Sequence, residues 1–463
     1  MIIKLIMPKR KNFKQEQEKM DGIFYSVMNG EKRVGGVMSS LPILAGMTPG
    51  GNKIIIEDEN VEEINFDSRV DLVGISANTS IIERAYEIAD IFRKKKVVVV
   101  LGGVHPSVMP EEALEHADAV AIGEGEHIWS EIIKDLKNKK LKKQYKADKK
   151  LLSFKGCAER YDLLNNKKYL FHNYQTARGC PYSCYFCSIQ TYLGKKYRAK
   201  NIEQVIRDVK RLKAIENKLI FFCDDNFVVD SARTKELIRK LIPLNIRYAI
   251  QARIDIYEDS ELLDLLQLSG CVNILVGFES VIKKNLIEMK KDYDVDLYHE
   301  GVEKIQKRGL FITGSFIFGF DNDDISVFRR TLDFIKISDI GCYAFNILTP
   351  FPGTAFYERF HKEGRLLHKD WTKYDCRHVC FRPKHMKPEE LYNGYLWSFQ
   401  KAFEMDILYK RVIKLYKLWN MQGNDVYRYR RYPLLTNLAS HNVAYSYPII
   451  REVTENIHKK HDY

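Results

Sequence analysis

The sequence lacks any apolar run approaching the ~20 uninterrupted residues that cross a bilayer, which excludes an ordinary membrane-spanning segment. Met1-Ile2-Ile3-Lys4-Leu5-Ile6-Met7-Pro8 reads as too short, and too soon broken by lysine, for a signal peptide, so none is expected. A cytoplasmic protein is expected on both counts. No internal repeat and no low-complexity tract occurs, so neither a repeat array nor a compositionally disordered chain is expected. No GxGxxG follows the first strand signal, which argues against a dinucleotide site. The formal net charge is +13, but it is not laid out as a basic face interleaved with aromatics, so no specific nucleic acid is expected. Part of it lies in one run, Lys134 to Lys150, with nine lysines, which reads as a solvated helix end and linker. A weak attraction for anionic lipid or an acidic substrate stays open.

The chain has 463 residues, enough for two or three domains, with 45% hydrophobic and 29% charged residues. Its densest chemistry is Thr176-Ala177-Arg178-Gly179-Cys180-Pro181-Tyr182-Ser183-Cys184-Tyr185-Phe186-Cys187, where three of nine cysteines fall within eight positions. Three thiolates spaced CxxxCxxC among Gly, Pro and Ser suit a soft metal site on a loop. They can hold three irons of a four-iron cluster and leave the fourth open. Zinc usually wants a fourth protein ligand and paired CxxC spacing. Three clustered but ordinary thiols are the plain alternative. Nine cysteines in a cytosolic setting point to ligands or core thiols, not disulfides.

Residues ahead of this stretch alternate strand and helix signals. Ile2–Met7, Lys53–Glu57, Asp71–Ser76, Lys96–Leu101 and Ala119–Gly123 read as strands, the fourth with consecutive valines of a fully buried parallel strand. Ile81–Arg93 is amphipathic at helical spacing. A doubly wound parallel sheet follows, with ligands expected at the carboxyl ends of its strands. Those ends are Ser76-Ala77-Asn78-Thr79, Gly102-Gly103-Val104-His105-Pro106 and Gly123-Glu124-Gly125-Glu126. Glycine there lets a flat ligand approach the backbone, or simply makes tight turns.

After the cysteines, five strand signals end in polar groups: Asp224-Asp225-Asn226, Gln251-Ala252-Arg253, Glu279-Ser280, Phe320-Asp321 and Thr349-Pro350. With Tyr174–Ala177 they make six strand–helix units, a partial (β/α) barrel open at one side. Cys223, Cys271 and Cys342 read as core thiols and Cys157 as structural. Cys376 and Cys380 bracket His378, but no second ligand cluster accompanies them. Pro388-Glu389-Glu390 starts a helix with Leu391, Leu396, Phe399, Phe403 and Ile407 on one face. An aromatic-basic tail, Trp419 to Tyr432, follows. The expected organisation is a Rossmann-like domain with a lysine-rich linker over 1–150, a partial barrel over 151–370 and a mainly helical region over 371–463.

The cysteine spacing, with an aromatic Phe186 before the third cysteine, resembles the radical S-adenosylmethionine (SAM) superfamily. The segments DLVGIS, GGVHP and GEGE resemble the cobalamin (B12)-binding domain found ahead of such barrels, and Leu41-Pro42-Ile43 fits the segment before its second strand. Glu363-Gly364-Arg365, Asp370-Trp371 and Tyr374-Asp375 resemble the segment that follows the barrel in one large group of cobalamin-type members. The resemblance implies a four-iron four-sulfur cluster on Cys180, Cys184 and Cys187. It implies SAM contacts from Phe186, Asp224, Asp225, Asn226, Gln251, Arg253, Glu279 and Ser280. It implies cobalamin near Leu41, Pro42, Ser76, Asn78, Thr79, Gly102, Gly103, His105, Gly123, Glu124 and Glu126. No DxHxxG occurs in residues 1–150, which fits members that hold the corrin without a histidine ligand and equally a domain that has lost cobalamin; His105 reads as a turn or corrin-edge residue, not a cobalt ligand.

The activity implied is reductive cleavage of SAM to a 5′-deoxyadenosyl radical, followed by methylation of an unactivated carbon in a small-molecule, lipid or peptide substrate. An electron donor such as flavodoxin or ferredoxin would serve it. A radical cyclisation, rearrangement or oxidation without methyl transfer is the alternative, and a non-enzymatic iron–sulfur or cobalamin-binding protein the third reading.

Overall fold

The computed structural model describes residues 1–10, 25–28, 31–147, 157–291, 294–338, 340–402 and 410. Phe403, Ile407, the tail from Trp419 to Tyr432 and part of the lysine-rich linker lie outside the described residues. Two six-stranded parallel sheets organise the rest.

The first sheet contains β1 (Ile2–Met7), β4 (Lys53–Asp58), β5 (Leu72–Ser76), β6 (Val98–Gly102), β7 (Ala119–Ile122) and β8 (Gln144–Lys146); a hairpin, β2 (Tyr25–Met28) and β3 (Glu31–Val34), lies between the first two. Their order is β4-β1-β5-β6-β7-β8. The chain steps from β1 to β4 on one side and returns to β5 on the other. Such a reversal opens a crevice at the carboxyl ends of the strands. The apolar run of β6 is buried because helices cover the sheet. The helix Ile82–Lys94 turns Ala85, Ile88, Ala89 and Phe92 onto it, each fully buried. Truncating a phenylalanine so placed costs ~3–5 kcal/mol.

The sixth strand, β8, departs from the sequence reading of Lys134–Lys150 as helix end and linker. Tyr145 is buried between exposed Gln144 and Lys146, and its hydroxyl donates to Asp135 at 2.9 Å. Flanking lysines hide the alternation, and charge is common on an edge strand.

The second sheet contains β9 (Phe171–Tyr174), β12 (Leu219–Phe222), β13 (Tyr248–Ala252), β14 (Cys271–Glu279), β15 (Ile312–Phe318) and β16 (Cys342–Ile347), in the order β16-β15-β14-β13-β12-β9. The two end strands do not pair with each other, so the sheet is a partial barrel. A separate antiparallel pair, β10 (Ala177–Arg178) and β11 (Arg198–Ala199), stands beside it. The cysteine loop therefore leaves from this pair and not from the sheet strand itself. Rings pack the sheet against its helices: Phe278 stacks on Phe316 at 5.4 Å, with Tyr298 of the helix Tyr298–Lys307 edge-on to Phe278 at 4.9 Å. The helix Pro388–Ala402 covers β16, with Phe399 edge-on to Phe345 at 5.1 Å.

Among the described residues no helix is long and apolar enough to cross a membrane.

Candidate functional site

The carboxyl ends of the two sheets face one cavity of about 450 Å³. The first sheet contributes Ser76, Asn78, Gly102, Gly103 and Gly123. Leu41 lines it from the helix Ser40–Met47, and Glu124 and Glu126 from the turn after β7. The barrel contributes Asp225 and Gln251 from its strand ends. Gly103 is required by geometry: its φ is +99°, and a Cβ there would come 2.5 Å from the Ala77 carbonyl oxygen.

Three residues expected at this edge sit elsewhere. Pro42 is buried, and its carbonyl accepts from the Arg160 amide at 3.0 Å. Thr79 is buried at the start of a short helical turn that Asn78 caps. His105 is fully buried beneath the helical turn Val104–Val108, with Nε2 3.2 Å from Glu112 and its ring edge-on to Trp371 at 5.1 Å. The indole of Trp371 donates to the same carboxylate at 3.1 Å. His105 thus fastens the first domain to the segment after the barrel, because its turn aims the ring inward.

The cysteine loop begins where four backbone and hydroxyl donors meet two acids. Asp224 accepts from the Thr176 amide at 2.5 Å, the Ala177 amide at 3.1 Å and the Thr176 hydroxyl. Asp225 accepts from the Gly179 amide at 3.0 Å. Burial pushes both carboxyls up to about 6. Asp224 is buried and absent from the cavity wall, so it holds the strand before the loop; the sequence reading had it facing SAM. Gly179 has φ +82°, and a Cβ would strike the Lys196 carbonyl across the loop.

Cys180, Cys184 and Cys187 are each partly exposed. Burial raises all three thiols, Cys187 to about 12, and neighbouring cysteines raise Cys180 and Cys187 further. The three sulfurs therefore lie within electrostatic reach of one another. Among the described residues no group of His, Cys, Asp or Glu converges as a single ion would need. Three thiols on one loop suit the corners of a polynuclear cluster, whose positive charge would favour thiolate. Phe186 packs edge-on to Phe320 at 6.2 Å and Tyr185 edge-on to Phe356 at 5.3 Å, tying the loop to the barrel.

The other strand ends are committed to local partners. Arg253 pairs with Asp255 at 2.9 Å and stacks 3.8 Å over the Tyr182 ring of the loop. Asn226 accepts from the Val228 amide at 3.1 Å and faces a separate hollow beside Tyr182. Glu279 takes φ +62°, uncommon for a non-glycine residue, and binds Lys291 at 2.6 Å. The Ser280 hydroxyl accepts from Asn285 at 3.0 Å.

Sequence reasoning missed Arg178, Gln175, Tyr192 and Cys223, which also line the cavity. β12 ends at Phe222, so Cys223 lies past the strand in the cavity wall and not in the core. Its place directly before the acidic strand end was the available signal. Arg178 is buried between Glu124 at 2.8 Å and Glu126. Burial opposes the Glu126 charge, but Arg178 outweighs it and holds the carboxyl below its usual range.

Family models agree with this layout. The radical SAM superfamily model matches residues 174–335, the B12 binding domain model residues 46–133, and a domain of unknown function residues 354–447. The chain is 32% identical to a bacteriochlorophyllide d C-12(1)-methyltransferase of Chlorobaculum tepidum over 74% of this chain and 77% of that one. It is 29% identical to the bacteriochlorophyllide d C-8(2)-methyltransferase of the same organism, over 82% and 89%. Among solved structures it resembles the radical SAM methyltransferase TsrM of Kitasatospora setae, solved with cobalamin and a 4Fe-4S cluster bound. That likeness has a TM-score of 0.62 at 16% identity and covers 78% of each chain.

Proposed function

The chain belongs to the radical SAM superfamily, in the branch that carries a B12-binding domain, and from that premise we propose that it methylates an unactivated carbon of a small-molecule substrate inside the shared cavity. The observation that carries the reading is the cavity itself. One wall is the glycine edge of the first sheet, and the other is formed by strand ends beside the cysteine loop. When bound, the cluster and SAM supply a hydrogen-abstracting radical and cobalamin supplies the methyl group.

The residues divide the work. Cys180, Cys184 and Cys187 hold the cluster on a loop pinned by Asp224 and Asp225. Gly102, Gly103 and Gly123 leave backbone open to a broad planar ligand. Asp225 and Gln251 line the cavity from the barrel's strand ends, where they can meet SAM or substrate. Apolar walls around Leu41 and Tyr192 exclude water from the reacting atoms. A one-electron donor of the flavodoxin or ferredoxin type would feed the cluster.

The test is an anaerobic incubation of reconstituted protein with cobalamin, methyl-labelled SAM, reductant and a substrate panel. Bacteriochlorophyllide d, named for two relatives, heads that panel. Labelled product with both S-adenosylhomocysteine and 5′-deoxyadenosine is expected. 5′-Deoxyadenosine alone, with a converted but unlabelled product, would replace methylation by cyclisation, rearrangement or oxidation.

A further inference from the structure

The stem of the cysteine loop carries a local conflict. Its two strands are only two residues long, and their register sets Arg178 directly opposite Arg198. A pair of like charges opposed across an antiparallel ribbon is destabilising, and a ribbon so short is marginal even without it. The first domain resolves the conflict. Glu124 places Oε1 2.6 Å from Arg198 and Oε2 2.8 Å from Arg178, so one carboxylate bridges both strands. Glu126 takes a second bond from Arg178. Arg178, Arg198 and Glu126 are buried and Glu124 is nearly so, and an ion pair placed there is little screened by salt.

We propose that Glu124 and Glu126 are positioning residues of the cysteine loop. The stem of the loop is closed by carboxylates that belong to the other domain. They sit on the turn that Gly123 opens, and Gly123 lines the cavity. A ligand seated against that turn therefore bears on the loop holding the thiols, through one carboxylate and two guanidiniums. This rests on the functional reading above for what the loop holds, but the clamp itself is a property of the chain.

Glu124→Gln is the variant to make, because Arg178 keeps Glu126 as a partner and Arg198 keeps the Leu193 carbonyl at 3.1 Å. Arg198→Gln removes the other end of the bridge, and the double variant completes a cycle. Hydrogen exchange on the full chain without cluster reads the clamp directly. Amides of residues 177–179 and 198–199 should exchange about tenfold faster in Glu124→Gln, with the two sheets unchanged. The double variant should speed exchange by less than the product of the two single effects, because both remove the Glu124–Arg198 bond. After reconstitution, Glu124→Gln should retain less iron per chain and show altered electron paramagnetic resonance of the reduced cluster on adding SAM. Cobalamin affinity is read alongside, because Glu124 also lines the cavity. Unchanged stem exchange, or a loss of cobalamin binding with unchanged exchange, would overturn the clamp and make Glu124 a ligand contact. A parent protein that takes up no iron would overturn the functional reading, while the exchange experiment would still decide the clamp.

Discussion

The two sheets meet across one cavity with opposite kinds of edge. The first ends in Gly102, Gly103 and Gly123; the barrel ends in Asp224, Asp225, Glu279 and, past β15, Asp323. The difference teaches what each edge is for. Bare backbone leaves room for a broad ligand. The acids, in contrast, mostly hold neighbouring segments of the barrel in place. Asp224 holds the strand before the cysteines, Glu279 holds Lys291, and Asp323 accepts from the Gly319 and Phe320 amides at 2.9 and 3.0 Å. The open edge receives, and the acidic edge fixes loop shape.

The largest effect that would break this division lies on the loop. Alanine at Cys180, Cys184 or Cys187 should abolish the visible absorbance of the cluster and SAM cleavage together, while leaving cobalamin binding; retained cleavage in any one variant would remove that residue from the ligand set. At the open edge, Gly102→Leu is the sharper tool. Its Cβ would meet Ala121 at 3.4 Å, an ordinary contact, and the rest of the side chain would fill the cavity. Cobalamin titration should weaken at least about tenfold, a loss of ~1.4 kcal/mol, with iron content unchanged. At the acidic edge, Lys291→Met leaves the buried Glu279 carboxylate without its cation, which should cost ~3–5 kcal/mol in denaturant unfolding.

The smallest effect is a slope in pH. Burial first of all raises Asp323 from 3.8 to about 6, against the bonds it accepts. Between those values the folded chain keeps a proton that the unfolded chain has released. The contribution to stability is complete below 3.8 and is lost as pH rises through about 6. Asp323→Asn should therefore show a shallower fall in unfolding free energy across that window, with Asp224 and Asp225 among the groups that still contribute to the slope. An unchanged slope would mean that Asp323 does not titrate there.

Much of this was legible in the residues. Valine runs and helical spacing gave both sheets, and the cysteine spacing pointed to the loop, because each is a local pattern. What stayed hidden depends on contacts far apart in sequence. β8 is masked by lysines that an edge strand tolerates. His105 sits in a glycine turn yet points into the core to meet Glu112 and Trp371, which no local pattern announces. Asp224 looked like a ligand contact because it ends a strand, but Thr176 and Ala177 reach its oxygens first. Arg178 and Arg198 gain meaning only once their register is known.

The shared cavity is tested most directly by electron paramagnetic resonance on protein loaded with both the reduced cluster and cob(II)alamin. With the cluster on the loop beside this cavity and cob(II)alamin within it, the two paramagnets should show mutual broadening or splitting that vanishes in the Cys187→Ala chain. Unperturbed signals, each matching a sample loaded with one group alone, would contradict a cavity that both sheets share.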